Sequence, residues 1–98
     1  MKIHEKRINE VLHYIDQNLA SPLTLDVLSN QACCSKFHFH RYFKAMTGVT
    51  AFKYVQQQRL KWVANSLVFR PEKSILEIAL DAGFEGNEAM SRLFKQHL

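Results

Sequence analysis

The sequence predicts an all-α fold in which two helix-turn-helix units are joined by one long helix. Three observations carry this prediction. Only 3 Gly and 2 Pro interrupt the 98 residues, apolar side chains recur with helical rather than strand period, and a block of the first half returns fifty residues later.

The elements follow in order. Ile8, Val11, Leu12, Ile15 and Leu19 form one apolar stripe of a first helix over about residues 4 to 19, and Ser21-Pro22 stops it. Thr24 stands where an N-cap belongs, and Leu25, Leu28 and Ala32 give a short second helix its inward face. After a turn at Cys33 and Cys34, Ser35 caps a third helix to about Thr47, where Gly48 supplies the terminator. Thr50 opens a long fourth helix to about Val68 that carries Phe52, Val55, Leu60, Val63, Ala64 and Leu67 and ends at Arg70-Pro71. Ser74 and Glu77 have capping-box spacing and begin a fifth helix that closes at Gly83; a sixth runs from about Asn87 to the end. No strand is required.

The repeat divides the chain. Leu25, Leu28, Ser29, Ala32, Cys33 and Cys34 return as Ile75, Ile78, Ala79, Ala82, Gly83 and Phe84, and Phe39, Arg41, Phe43 and Lys44 return as Met90, Arg92, Phe94 and Lys95. The offset grows by one within the turn, as expected if the second copy holds one extra turn residue, Glu85 or Gly86. Residues 1–50 are therefore expected to form the first unit, 51–68 the linker helix and 69–98 the second unit. Eighteen linker residues give a strut of about 27 Å, comparable with the ~34 Å between successive major-groove faces of a duplex. Lys53, Gln56, Gln57, Gln58, Arg59 and Lys61 are expected on its polar outer surface, with Trp62 packed against one unit.

Composition narrows the function. Thirteen Lys and Arg against nine Asp and Glu give a net charge of +4, which favours an anionic partner. The excess lies mid-chain: residues 35–73 carry 8 basic and 1 acidic groups, against 3 and 4 before them and 2 and 4 after. The first unit and the long helix are accordingly expected to supply most of any phosphate-binding free energy. Adjacent Cys33 and Cys34 cannot form an ordinary disulfide, which points to a reducing cytosol. No stretch reaches the ~18 apolar residues of a membrane span and no signal-peptide core opens the chain, so no membrane partner is expected.

The faces of two helices suggest chemistry. Phe39, Phe43 and Met46 share one side of the third helix, while Phe37, His40, Arg41 and Lys44 share the other. A row of ring, imidazole, guanidinium and ammonium with no acid suits a major groove. Arg41 can fork onto guanine O6 and N7, His40 can bond a base edge or phosphate, and Phe37 can lie on a thymine methyl or instead be a core aromatic. On the sixth helix Met90, Leu93 and Phe94 face in, and Glu88, Ser91, Arg92 and Lys95 face out. Glu88 can accept from cytosine N4, yet an acid in the first turn also suits the helix dipole, which is the preferred reading. Asn87 fits a cap, a phosphate contact or an adenine reader equally. Ser35, Lys36, Lys44, Lys53 and Lys95 are candidate backbone contacts.

The motifs SKFHFHRYFKAMTGVTAFKYV, QQQRLKWVANSL and SILEIALDAGFEGNEAMSRLFK, which together cover most of the chain, resemble the DNA-binding domain of the AraC/XylS family of bacterial transcription regulators. The resemblance implies two homeodomain-like bundles on a long linker helix, and a monomer reading two successive major grooves of double-stranded DNA with helices near 35–47 and 87–97. It implies activation through RNA polymerase and a place on the bacterial nucleoid. By position it implies base contacts from Phe37, His40 and Arg41, and from Asn87, Glu88, Ala89 and Arg92, of which Ala89 offers only a methyl.

Three departures stand out. Cys33 sits in the first turn where Gly is usual and where the second unit has Gly83, so a different backbone is expected there. His40 replaces the more frequent polar or amide side chains and leaves its base preference open. The first unit continues into AMTGVTAFKY, whereas the second stops at Gln96-His97-Leu98. The last helix of the second unit is therefore expected to be missing, with later residues covering Leu93 and Phe94 and any effector-binding part following as a C-terminal domain.

Other functions fit less well. Cys33, Cys34, His38 and His40 are close in sequence, but the two histidines point ~200° apart around a helix, so no metal is expected. No phosphate loop, spaced carboxylate pair or Ser, His and Asp arrangement is present, so neither an enzyme nor a cofactor is expected. The alternative to DNA binding is a helical protein-interaction module that presents a basic face.

Overall fold

The computed structural model describes residues 2–96. It consists of α1 (Lys2–Gln17), α2 (Leu25–Gln31), α3 (Lys36–Thr47), α4 (Ala51–Phe69), α5 (Ile75–Asp81) and α6 (Asn87–Gln96), with no strand among the described residues. The expected continuation of α6 to residue 97, and whatever follows it, lie outside the described residues.

Local chemistry sets the boundaries. Thr24, Ser35, Thr50 and Ser74 have extended backbones, and each side-chain hydroxyl accepts the N–H of the residue three positions on. Glu77 returns a bond to the Ser74 N–H and completes the capping box. Gly48 closes α3 in the left-handed region, φ +82°. The first helix ends earlier than its apolar stripe suggests. Asn18 turns the chain, its Nδ2–H donating to the Tyr14 carbonyl (2.8 Å) and its own carbonyl accepting from Ser21 (3.0 Å), so Leu19 packs from a loop.

Two cores form, and α4 serves both. Ile8, Val11, Ile15, Leu28, Ala32, Phe39 and Phe43 meet Ala51 and Val55 from the first half of α4. Val63 from its second half meets Ile78, Ala79, Ala82 and Met90, with Trp62, Phe84 and Phe94 packed alongside. The molecule is therefore elongated, 44 × 23 × 20 Å, with a radius of gyration of 14.4 Å against the roughly 13 Å of a rounded domain of this length.

Several expectations need correction. Met46, Phe52 and Leu67 are exposed, and so is Ala64. For the three α4 residues the reason is that one helix passing between two separate cores buries short arcs in turn rather than a continuous stripe; Met46 instead lies in the last turn of α3, beyond Phe43. Gln58 and Arg59 do not belong to the outer polar surface. Gln58 Nε2–H donates to Asp16 Oδ1 (2.9 Å) and to Tyr54 Oη (3.1 Å), while Arg59 donates to the Leu19 and Ser21 carbonyls. Burial pushes the Tyr54 phenol above its ordinary pKa, with the Asp16 carboxylate adding to the effect. Burial lowers that of Arg59.

The turn at Cys33 is the third correction. Cys33 adopts φ +55° where Gly83 adopts φ +92°, and the hydrogen bonds match. Cys33 and Cys34 donate to the Asn30 and Ser29 carbonyls (both 3.1 Å), as Gly83 and Phe84 donate to those of Leu80 and Ala79 (both 3.0 Å). The cysteine pays the left-handed strain and keeps the turn.

Candidate nucleic-acid interface

Burying Phe39 and Phe43 dictates what α3 shows to solvent. With 100° per residue, Phe37, His40, Arg41 and Lys44 are left outside, and all four are exposed. Phe37 is 66% exposed, which removes the core alternative. The centre of its ring lies 5.6 Å from the Arg41 guanidinium carbon, within range of a cation-π contact worth about 0.5–1 kcal/mol at an exposed site. Ser35 fixes where this row starts, accepting the His38 N–H at 3.2 Å.

His38, which the face reading left out, is exposed beside the row. Its ring sits edge-on to Phe37 (5.7 Å) and stacks on Tyr42 (5.9 Å), which stacks in turn on His4 (4.2 Å). The sequence signal was available: a histidine in the first turn of the third helix, one position after the aromatic Phe37. Lys36 carries an ion pair to Asp26 at 2.7 Å, so its ammonium is engaged within the unit. Both partners are exposed, and such a pair contributes only about 0–1 kcal/mol, so exchanging Asp26 for a phosphate costs little.

On α6, Asn87, Glu88, Ser91, Arg92 and Lys95 are exposed, Met90 and Leu93 are buried, and Phe94 is half-buried. The Met90 N–H donates to the Gly86 carbonyl at 3.4 Å, which makes Gly86 the capping position. Asn87 is thereby freed from capping and becomes the first helical residue. Ala89 is half-buried beside Arg92 at the edge of a groove between the units. Lys53 is exposed in the first turn of α4. Of the basic residues in 35–73, Lys36, Arg70 and Lys73 are ion-paired and Arg59 is held by carbonyls, so the basic surface along α3 and the start of α4 rests on Arg41, Lys44 and Lys53, whereas the outer face of α6 mixes signs.

Among the described residues, no three His, Cys, Asp or Glu side chains come together as metal ligands. Cys33 and Cys34 are free thiols, and burial raises the pKa of Cys34 against the lowering effect of Arg7. Among the described residues, no helix is long and apolar enough to cross a membrane.

Comparison with known proteins decides the family. Residues 28–98 match the family described as the helix-turn-helix domain. The chain is 32% identical to the regulatory protein SoxS of Escherichia coli K12 over 93 residues, 95% of this chain and 86% of that protein. The chain belongs to the AraC-type helix-turn-helix family. The Tn10 transposon protein TetD of Escherichia coli is 39% identical over 94 residues, 96% of this chain and 67% of TetD. Among solved structures, an AraC-type transcriptional regulator from Chromobacterium violaceum superposes with a TM-score of 0.85 at 26% identity, covering 95% of this chain and 82% of that one. The domain is thus a DNA-binding domain of the transcription-regulator class, and the paired units of its fold are those of the family.

Proposed function

We propose that the chain binds double-stranded DNA in a sequence-specific way, laying α3 and α6 into successive major grooves on one side of the duplex. The observation that carries this reading is the α3 row. Every member is exposed, none is an acid, and Phe37 lies in cation-π range of Arg41. Phe37, His40 and Arg41 are its proposed base contacts, with Arg41 forked onto a guanine. Asn87, Glu88 and Arg92 play that part on α6, Asn87 having no capping duty to compete with base contact. Ser35, Lys36, Lys44, Lys53 and Lys95 contact phosphates. The proposed division is residues 1–50, 51–68 and 69–98, with α4 as the strut between readers. Its 19 residues correspond to about 28 Å of helix.

The same reading makes RNA polymerase a protein partner, engaged by the DNA-bound chain acting as an activator on the bacterial nucleoid. Selection of bound duplexes from a random pool tests the reading. The selected duplex should outcompete a scrambled one by about 10³-fold or more at fixed salt. Equal competition by both would leave only a basic face and would favour a protein partner.

A further inference from the structure

Gly83 and Cys33 occupy the same place in the two copies of the turn, and both are left-handed. Cys33 is exposed, so this turn tolerates a side chain. Gly83 has no such freedom. A Cβ built on it would lie 2.1 Å from the Leu19 carbonyl oxygen and 2.8 and 2.9 Å from Nε and Cζ of Arg59. The turn of the second unit therefore presses its backbone against the loop that follows α1 in the first. Arg59, on α4 between them, donates Nε–H to the Leu19 carbonyl (3.1 Å) and Nη2–H to that of Ser21 (3.0 Å). It brings a cation to the end of α1, whose own last turn has no basic residue. Gln58, one position earlier, reaches Asp16 near that end at 2.9 Å. Three segments distant in sequence thus meet at one point: the α1–α2 loop, mid-α4 and the α5–α6 turn.

We propose that Arg59 and Gly83 form a clasp that fixes the angle between the two units, and so determine which spacing of the two half-motifs the protein accepts. The spacing claim rests on the DNA reading above. The angle claim does not. The long helix alone controls separation along its axis, but a helix joined to each unit by one packed arc leaves bending and rotation of the units to be set elsewhere. Neither clasp residue points at DNA in this scheme; both act by positioning. Each base pair inserted between half-motifs rotates one against the other by about 34°, so a fixed angle tolerates little change.

Two measurements on the whole chain separate the claims. In free protein, amide residual dipolar couplings from both units should fit a single alignment tensor, whereas Arg59→Ala should require two. On duplexes selected by the wild-type chain, insertion of one base pair between half-motifs should weaken wild-type binding about tenfold or more and Arg59→Ala binding less than about threefold. Arg59→Lys, which keeps the charge and stem but loses the two-donor fork, should fall between them and serves if Arg59→Ala does not fold. A single tensor in the folded variants would overturn the clasp whatever the DNA result. Unchanged spacing dependence beside two tensors would overturn its role in selecting sites. Failure of the wild type to prefer any duplex would sink the DNA reading and leave the tensor test standing.

Discussion

Replacing Cys33 by glycine should stabilise the protein, an unusual direction for a change to a turn residue. Cys33 holds φ +55°, a region that costs a residue with a Cβ roughly 1–2 kcal/mol. Glycine removes that strain but loses more freedom on folding, a penalty of about 0.5–1 kcal/mol. The thiol is exposed, so no packing is lost with it. The net gain is about 0.75 kcal/mol at the centre of a range of roughly 0–1.5 kcal/mol, and a chain of 98 residues converts each kcal/mol into about 5 °C of melting temperature. Cys33→Gly should therefore melt about 4 °C higher by circular dichroism at 222 nm. The mirror change, Gly83→Ala, restores the strain and also drives a methyl into the Leu19 carbonyl, so it should melt lower. A fall in melting temperature for Cys33→Gly would refute the reasoning, since it would mean that the first turn is not held left-handed.

Arg41→Ala should weaken binding to a selected duplex by about 1–3 kcal/mol and abolish discrimination at one base position, and should cost more than Arg92→Ala, by fluorescence anisotropy at fixed salt. The order should reverse only if the second unit carries most of the affinity. Ser74→Ala removes the hydroxyl that accepts the Glu77 N–H and donates to the Glu77 carboxylate, leaving only the backbone N–H bond of the capping box, and should cost about 1 kcal/mol in thermal stability, more than Thr24→Ala, whose side chain makes one bond to Val27. The folded-state pKa of Tyr54 lies above its unfolded value near 10, so its contribution is complete below about pH 10 and fades as pH rises through the folded value. Chemical denaturation across that alkaline window should show the loss, and Tyr54→Phe should flatten it.

The helices and their caps were legible because they depend on neighbours in sequence. Thr24, Ser35, Thr50 and the Ser74–Glu77 pair each act over three residues, and all four caps form as their spacing indicates. The outward row of α3 was legible for the same reason, since burying Phe39 and Phe43 leaves its opposite face no choice. Arg59 was misread because nothing local distinguishes it from its neighbours on a run of polar residues. Its partners are main-chain carbonyls 40 and 38 residues away, and a carbonyl leaves no mark in a sequence. Cys33 was misjudged for a related reason. The residue type argued against a left-handed backbone, but the paired hydrogen bonds to Asn30 and Ser29 outweigh a strain of about 1–2 kcal/mol. Asn87 shows the limit of spacing alone, because an asparagine at a helix start resembles a cap until the Gly86 carbonyl is seen to take that place.

Hydroxyl-radical footprinting of the chain on a selected duplex tests the central claim most directly. Two rigidly held readers predict protection of two short tracts on one face of the duplex, with centres about 10 base pairs apart. A single protected tract, or two on opposite faces, would contradict the account.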